Sequence, residues 1–175
     1  MNTYFTSDTH FCHANIIKYC NRPFKNVDEM DETIITNWNS VVKHDDLVYH
    51  LGDVGFGDIK NVLRRLNGRI ILIRGSHDKS ALQVPERFEK ISSLLEIKIE
   101  DHPIILCHYS MRTWSKSHYN SWCLWGHSHN KLESWGKSFD IGVDGHNFFP
   151  WSFKEIQAKM NELPDNFNLV KEKNG

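Results

Sequence analysis

The chain has 175 residues, of which 39% are hydrophobic and 25% charged, with a formal net charge of −1 at pH 7. These values are typical of one globular domain, which we expect to span residues 1–175, and they argue against strong general binding to nucleic acid phosphates. The sequence contains no apolar stretch long enough to predict a membrane span. The N-terminal sequence MNTYFTSDTH lacks the pattern of a signal peptide.

Cysteine and histidine are the informative residue types in this composition. The chain has 4 cysteines and no C-x-x-C pair, so we expect reduced thiols in a cytoplasmic protein. Histidine is unusually frequent, with 11 in the chain, and several of these lie beside Asp or Gly. Where they fall relative to predicted strands therefore bears on function.

Helices and strands alternate early in the predicted order, and strands dominate late. In chain order, the patterns predict a strand at 3–7, a short helix at 15–20, a helix at 28–42, a strand at 47–51, a helix at 59–66, a strand at 70–73, a hairpin of 94–100 and 104–107, strands at 121–125 and 139–143, and a helix at 152–160. This order predicts a layered α/β sandwich.

Polar side chains that bind metals follow five of these predicted strands. In order they are Asp8 and His10, then Asp53, then Ser76, His77 and Asp78, then His108 after the hairpin, and finally His127 and His129. Ligands in open α/β sheets bind beyond the carboxyl ends of the strands. We therefore expect these residues to share one site.

The residue types in this set indicate two metal ions. Carboxylate and imidazole together suit zinc, manganese, iron and related ions, and the strong donors exceed the four that a tetrahedral zinc site needs. One carboxylate, such as that of Asp53, can bridge two cations. Two ions roughly 3.5–4 Å apart clamp the attacking and leaving oxygens of a phosphoryl displacement. Each short pattern alone has an ordinary structural interpretation, so the prediction depends on the ordered set.

The ordered set resembles the calcineurin-like metallophosphoesterases. The matching motifs are D-x-H at 8–10, G-D at 52–53, G-x-H-D at 75–78, the single His108, and G-H-x-H at 126–129. The resemblance covers roughly residues 3–145 and is strongest to the small bacterial and phage members. It implies a four-layer α/β/β/α sandwich with two divalent ions, of manganese, iron, zinc or nickel, at one sheet edge.

The resemblance also implies a role for each matching position. One ion would bind Asp8, His10, Asp53 and His129, and the other would bind Asp53, Ser76, His108 and His127, with Asp53 as the bridge. His77 would not bind metal but would contact the phosphate and stabilise or protonate the leaving oxygen, and Asp78 would orient His77.

Two positions depart from the family pattern. Ser76 stands where the family normally has Asn, and Cys12 stands where it usually has Gly. The loss of an amide ligand at position 76 predicts weaker binding of the second ion. A side chain at position 12 predicts crowding in a loop that approaches the site closely.

The segment between His108 and His127 interleaves basic and aromatic residues, which makes Arg112 and Trp114 candidates for substrate contact. Arg112 would hold a phosphate oxygen and Trp114 would stack on a base, although core packing explains Trp114 equally well. In the first loop, His13 is a further candidate and Asn15 is a candidate helix cap. Histidines 44, 50, 102 and 146 are interpreted as structural or surface residues.

The leading hypothesis is a metal-dependent phosphoesterase in which hydroxide activated by two metals attacks phosphorus in line. The substrate would be a phosphomonoester, a phosphodiester or a nucleotide, and the aromatic and basic segment favours the last two. The alternative is a catalytically weakened scaffold of the same fold that binds a partner protein. Ser76 favours that alternative, whereas the retained His77 and the other ligands argue against it. The sequence does not specify the oligomeric state.

Overall fold

Two β-sheets form the centre of the computed structural model, which describes residues 1–170. The first sheet contains β1 (Thr3–Thr6), β2 (Leu47–His50), β3 (Arg69–Ile73), β4 (Phe88–Ser92) and β9 (Trp151–Ser152), in the order β4-β3-β2-β1-β9. The second contains β5 (Leu94–Ile99), β6 (His102–Cys107), β7 (Trp122–Trp125) and β8 (Ser138–Asp140), in the order β5-β6-β7-β8.

Strand direction brings the predicted ligands to a common edge. Strands β1 to β4 pair in parallel, and β9 pairs antiparallel to β1. In the second sheet, β5 and β6 form the predicted antiparallel hairpin, and β6, β7 and β8 are parallel. The loops that leave the carboxyl ends of β1, β2, β3, β6 and β7 therefore carry the conspicuous Asp and His residues.

In the part of the chain that the structure describes, four α-helices accompany the sheets: α1 (Ala14–Tyr19), α2 (Val27–Val41), α3 (Lys60–Arg65) and α4 (Phe153–Glu162). Helix α2 buries Met30, Ile34 and Trp38, which recur at a spacing of four residues and pack in a cluster that includes Val48 and Ile70 of the first sheet. Since successive strand residues face opposite sides, the other face of this sheet is free to pack on the second sheet.

The interface between the sheets is a second apolar cluster. It includes Phe5 and Leu51 from the first sheet and its loops, Leu106 and Leu124 from the second sheet, and Ile156 of α4. A small third cluster contains Ile105, Trp114, Cys123 and Trp125. The predicted α/β sandwich is confirmed. Its outermost layer is thin, since the segment on the far side of the second sheet contains only a 3₁₀ turn at Ser117–Tyr119.

Side-chain hydrogen bonds cap the first turns of α2 and α4. Asn26 caps α2 by accepting a hydrogen bond from the Glu29 amide at 2.9 Å. Helix α4 begins with a capping box, because Ser152 and Glu155 each accept from the backbone amide of the other. Asn15, predicted as a cap, instead lies inside α1, whose preceding residue is His13.

The short strands β4 and β9 were not predicted, because β9 has only two residues and the two apolar residues of β4, Phe88 and Ile91, neither form a run nor alternate. The predicted strand at 139–143 ends early at Asp140, and a 3₁₀ turn at Val143–Gly145 follows. All four cysteines are free, in agreement with the predicted thiols. Within residues 1–170, no helix combines the length and apolarity needed to cross a bilayer.

Candidate metal centre

The backbone at the candidate ligands has an unusual conformation. Five of these residues have positive φ angles: Asp8 (57°), His10 (52°), Asp53 (56°), His127 (69°) and His129 (50°). Non-glycine residues rarely adopt this region, and such conformations concentrate at functional sites. The loops after β1, β2 and β7 are therefore folded to direct particular side chains.

Two glycines make the close approach of these loops sterically feasible. A Cβ atom on Gly126 would overlap the side chains of Ser7 and Asp8, and one on Gly75 would overlap the carboxylate of Asp53 and the ring of His108. The family motifs place glycine at both positions for this physical reason.

The predicted ligands assemble into two groups, each with ligand atoms within 4.8 Å of one another. The first contains Asp8, His10 and His129, and the second contains Asp53, His108 and His127. One oxygen of Asp53 lies between the groups, 3.5 Å from Nε2 of His108 and 3.8 Å from Nε2 of His10.

Several ligand atoms are buried and have no hydrogen-bond partner within residues 1–170. They are Oδ1 of Asp8, both ring nitrogens of His10, and Nε2 of His108. Buried polar atoms normally have partners, and an ion is one way to supply them. The residue types are those that transition-metal ions prefer, so the site fits two divalent cations.

The electrostatics of the site also favour cations. Burial raises the pKa of Asp8 to about 7 and lowers the pKa of His10 to about 3. Burial opposes ionisation of Asp53 as well, but contacts with His108, the His77 amide and His10 hold its pKa below the usual range. Although burial disfavours a charged His108, Asp53 and Asp8 raise its pKa to about 8. A divalent ion would stabilise the carboxylates and occupy the histidine lone pairs.

Carboxylate oxygens also fix the loops to one another. The Asp8 carboxylate accepts from the His127 amide at 2.9 Å, and Asp53 accepts from the His77 amide at 2.8 Å. Asp78, only 1% exposed, accepts from the amides of Gly75 at 2.6 Å, Val54 at 2.8 Å and Asp53 at 3.1 Å. Each carboxylate thus joins two loops.

The loop after β3 presents Ser76 and His77 at the surface. The Ser76 hydroxyl hydrogen-bonds to the Asp53 carboxylate, at 3.3 Å from its nearer oxygen. The His77 ring centroid is 6.2 Å from that of His10. Among the described residues, the oxygens of Asp78 bond to backbone amides rather than to the ring of His77, so Asp78 shapes the loop that carries His77.

The predicted substrate contacts have different surroundings. His13 is half-buried beside the site, with its ring stacked on Phe56 at 4.1 Å and 5.8 Å from His10. Arg112 is exposed and lies over the ring of Trp135 at 4.1 Å. Trp114 requires a correction: it is only 8% exposed, and its ring packs in the third cluster instead of being offered to a base.

Sequence reasoning missed the contacts that hold His129. Nδ1 of His129 lies 2.8 Å from Oδ2 of Asp144, and Arg22 bonds to the same carboxylate. Asp144 lies in the turn G-V-D-G, where a turn function is the natural interpretation, and Arg22 is far away in sequence. Only the folded geometry connects them.

The fold and site together define a two-sheet α/β protein with a candidate dimetal centre at the carboxyl ends of its strands. Residues 1–138 match the family model of the calcineurin-like phosphoesterase superfamily domain. The chain belongs to this superfamily, which confirms the resemblance seen in its motifs.

The chain is also similar to individual proteins. An uncharacterized protein of Methanocaldococcus jannaschii is 40% identical over 165 residues, which cover 87% of this chain and 88% of the relative. The gene 66 protein of Mycobacterium phage L5 is 40% identical over 83 residues, covering 44% of this chain and 40% of the relative. The crystal structure of a protein of unknown function from Aquifex aeolicus has a TM-score of 0.73 at 29% identity, covering 90% of this chain and 98% of that chain.

Proposed function

We propose that this protein is a metal-dependent phosphoesterase that hydrolyses a phosphomonoester or a phosphodiester, with nucleotides among the candidate substrates. The observation that carries the proposal is the position of Asp53, which lies near both His108 of its own group and His10 of the other group, at a place where several buried ligand atoms have no other partner among the described residues. Two bound divalent ions would supply positive charge to the phosphate and a strong nucleophile from water. Manganese, iron, zinc and nickel all suit these ligands.

The protein contributes geometry and a proton donor to this reaction. Asp53 would bridge the two ions, Asp8, His10 and His129 would hold one of them, and His108 and His127 would hold the other. His77 reaches the surface beside Asp53, where it can contact a phosphate oxygen and donate a proton to the leaving group. Asp78 keeps the His77 loop in place through the amides of Gly75, Asp53 and Val54.

An open cavity of about 660 Å³ adjoins the site and offers space for the substrate. Its lining includes Ser76 together with the cationic residues Arg74 and Lys79 and the aromatic residue Tyr109. The Tyr109 ring lies 4.8 Å from that of His127, so the cavity reaches the ligand side chains. The positive charges of Arg74 and Lys79 beside the candidate metal centre support an anionic substrate. His13 and Arg112 remain proposed substrate contacts.

The experiment that tests the function is hydrolysis of p-nitrophenyl phosphate and bis-p-nitrophenyl phosphate by the full chain with added manganese. We expect turnover of at least one substrate, and the preferred one distinguishes a monoesterase from a diesterase. Activity on neither substrate by a folded protein would contradict the proposal. That result would instead favour a protein-binding scaffold of the same fold, for which the serine at position 76 is the supporting observation.

A further inference from the structure

The ring of His129 is held by a carboxylate whose side chain is only 11% exposed. Asp144, in the 3₁₀ turn after β8, places Oδ2 2.8 Å from Nδ1 of His129. With Nδ1 engaged, Nε2 is the nitrogen available to an ion. A carboxylate behind a metal-binding histidine fixes the orientation of the ring and makes it a stronger ligand.

Arg22 completes this arrangement from the opposite end of the sequence. Its side chain is fully buried and donates to both oxygens of Asp144, at 2.8 and 2.9 Å. The same guanidinium donates to the backbone carbonyls of Asp8 at 2.7 Å and Thr9 at 3.0 Å. One side chain therefore fixes both Asp144 and the backbone of a second ligand in the same half of the site.

The other half of the site has no equivalent support among the described residues. Nδ1 of His108 lies 2.7 Å from the carbonyl oxygen of Leu51, which is neutral. His127 is exposed, and within residues 1–170 its ring has no hydrogen-bonding partner comparable to Asp144. Position 76 supplies a hydroxyl that is directed at Asp53.

We propose that Arg22 and Asp144 are positioning residues that make the Asp8–His10–His129 group the tight half of the dimetal site. The Asp53–His108–His127 group would then be the weaker half, whose ion exchanges more readily. This inference rests on the proposed function, because it concerns the ions which that function requires.

The test is calorimetric titration of the metal-free full chain with manganese. We expect two binding steps, and His127→Ala should remove or weaken the weaker one. Asp144→Asn and Arg22→Lys should each weaken the tighter step by about 10–100-fold and leave the weaker step in place. Lysine retains the positive charge of Arg22 but lacks the planar guanidinium group. Arg22→Lys therefore tests the hydrogen-bond geometry of Arg22 separately from its charge.

Matched controls separate positioning from general damage to the fold. Asp46→Asn removes a buried carboxylate elsewhere in the fold that also accepts from backbone amides. Arg87→Lys removes a guanidinium group that also donates to backbone carbonyls. Both should leave the two steps unchanged. Thermal unfolding of each metal-free variant establishes that it is folded.

A third control addresses direct ligation by Asp144. Cys20, His129 and Asp144 also have ligand atoms within 4.8 Å of one another. If Asp144 bound an ion together with Cys20, then Cys20→Ser would weaken the tighter step, whereas a positioning role predicts no change.

The outcomes are distinguishable. Unchanged affinities in Asp144→Asn and Arg22→Lys, or weakening confined to the weaker step, would overturn this inference and leave the proposed phosphoesterase intact. A folded wild-type chain that binds no manganese would overturn the dimetal proposal itself.

Discussion

At the scale of single residues, Asp53 connects the two halves of the site. Asp53→Asn preserves the shape of the side chain but removes the charge that would hold both ions. We expect metal analysis to show a clear loss of bound ion and hydrolysis to fall sharply. Asp46→Asn serves as the control, since Asp46 is equally buried and remote from the site. Two ions per chain and full turnover in Asp53→Asn would exclude a bridging role.

His77 differs from the ligands because it is exposed and its amide, rather than its ring, bonds to Asp53. His77→Ala should lower kcat by about 10²–10⁴-fold while metal content stays near normal. The loss should be larger for esters with poor leaving groups than for nitrophenyl esters, because only the former need a proton donor. His44→Ala, at a side chain that is 96% exposed, is the control. Loss of metal from His77→Ala would instead make it a ligand.

Ser76 can be tested by restoring the residue that the family normally has. An asparagine would extend a carbonyl acceptor beyond the reach of the serine hydroxyl. Ser76→Asn should tighten the second ion and raise kcat by roughly ten-fold or more, measured by calorimetry and steady-state kinetics. Ser76→Ala is the matched variant, and it should resemble the wild type if the hydroxyl is not a ligand. Equal affinity and equal kcat in Ser76→Asn and wild type would show that position 76 is not a ligand.

At the scale of elements, the end of β7 must approach the end of β1 without a side chain between them. Gly126→Ala would force Cβ against Ser7 and Asp8, so we expect reduced metal binding together with reduced stability. Ser152→Ala provides the comparison, because loss of this helix cap should cost about 1 kcal/mol of unfolding free energy without affecting metal content. Urea unfolding and metal analysis of both variants test this difference. Normal metal content in Gly126→Ala would contradict it.

The elements also show what the sequence could predict. The helical spacing of apolar residues in α2 and the apolar runs of β2 and β3 were enough to predict these three elements. Burial of one helix face or of a whole strand leaves such a pattern in the local sequence. Strand β9 has too few residues for a pattern. The contact of Arg22 with Asp144 depends on how the chain folds over a long distance in sequence. The burial of Trp114 depends on its packing against Ile105, Cys123 and Trp125 on one face of the second sheet. Such non-local facts have no signal in a single sequence.

Cys12 shows how the structure can change the interpretation of a sequence departure. Its φ of 60° lies in the region that glycine favours, which explains why glycine is usual there. However, Cys12 is exposed, and its amide donates to Asp31 at 3.0 Å. The expected crowding is therefore relieved toward solvent, and the remaining cost is backbone strain.

At the scale of the whole molecule, His50 makes stability depend on pH. It is 1% exposed, and burial lowers its pKa to about 3. Nδ1 accepts from the Gly52 amide and must stay unprotonated. Since the unfolded chain protonates His50 below pH 6.5 and the folded chain does not, stability falls as the pH drops from 6.5 toward 3.

We expect His50 to contribute a slope of up to about 1.4 kcal/mol per pH unit in that range. His50→Asn should remove this slope, whatever its effect on absolute stability, and His44→Asn should retain it because that side chain is 96% exposed. Urea unfolding at several pH values between about 4 and 7 measures the slopes. An unchanged slope in His50→Asn would show that His50 does not titrate as inferred.

The hydrogen bonds that join loops have a consequence for the time at which the site forms during synthesis. Asp8 and Arg22 are synthesised early. Their hydrogen-bond partners, the amide of His127 and the carboxylate of Asp144, are synthesised more than 100 residues later. Contacts between such distant positions close late, because the intervening chain must already be made and ordered. A nascent chain that ends before residue 127 holds Asp8, His10 and Asp53 without their later partners. Binding of an ion by the complete set of ligands would thereby be deferred until β7 and the turn that carries Asp144 have been synthesised and folded.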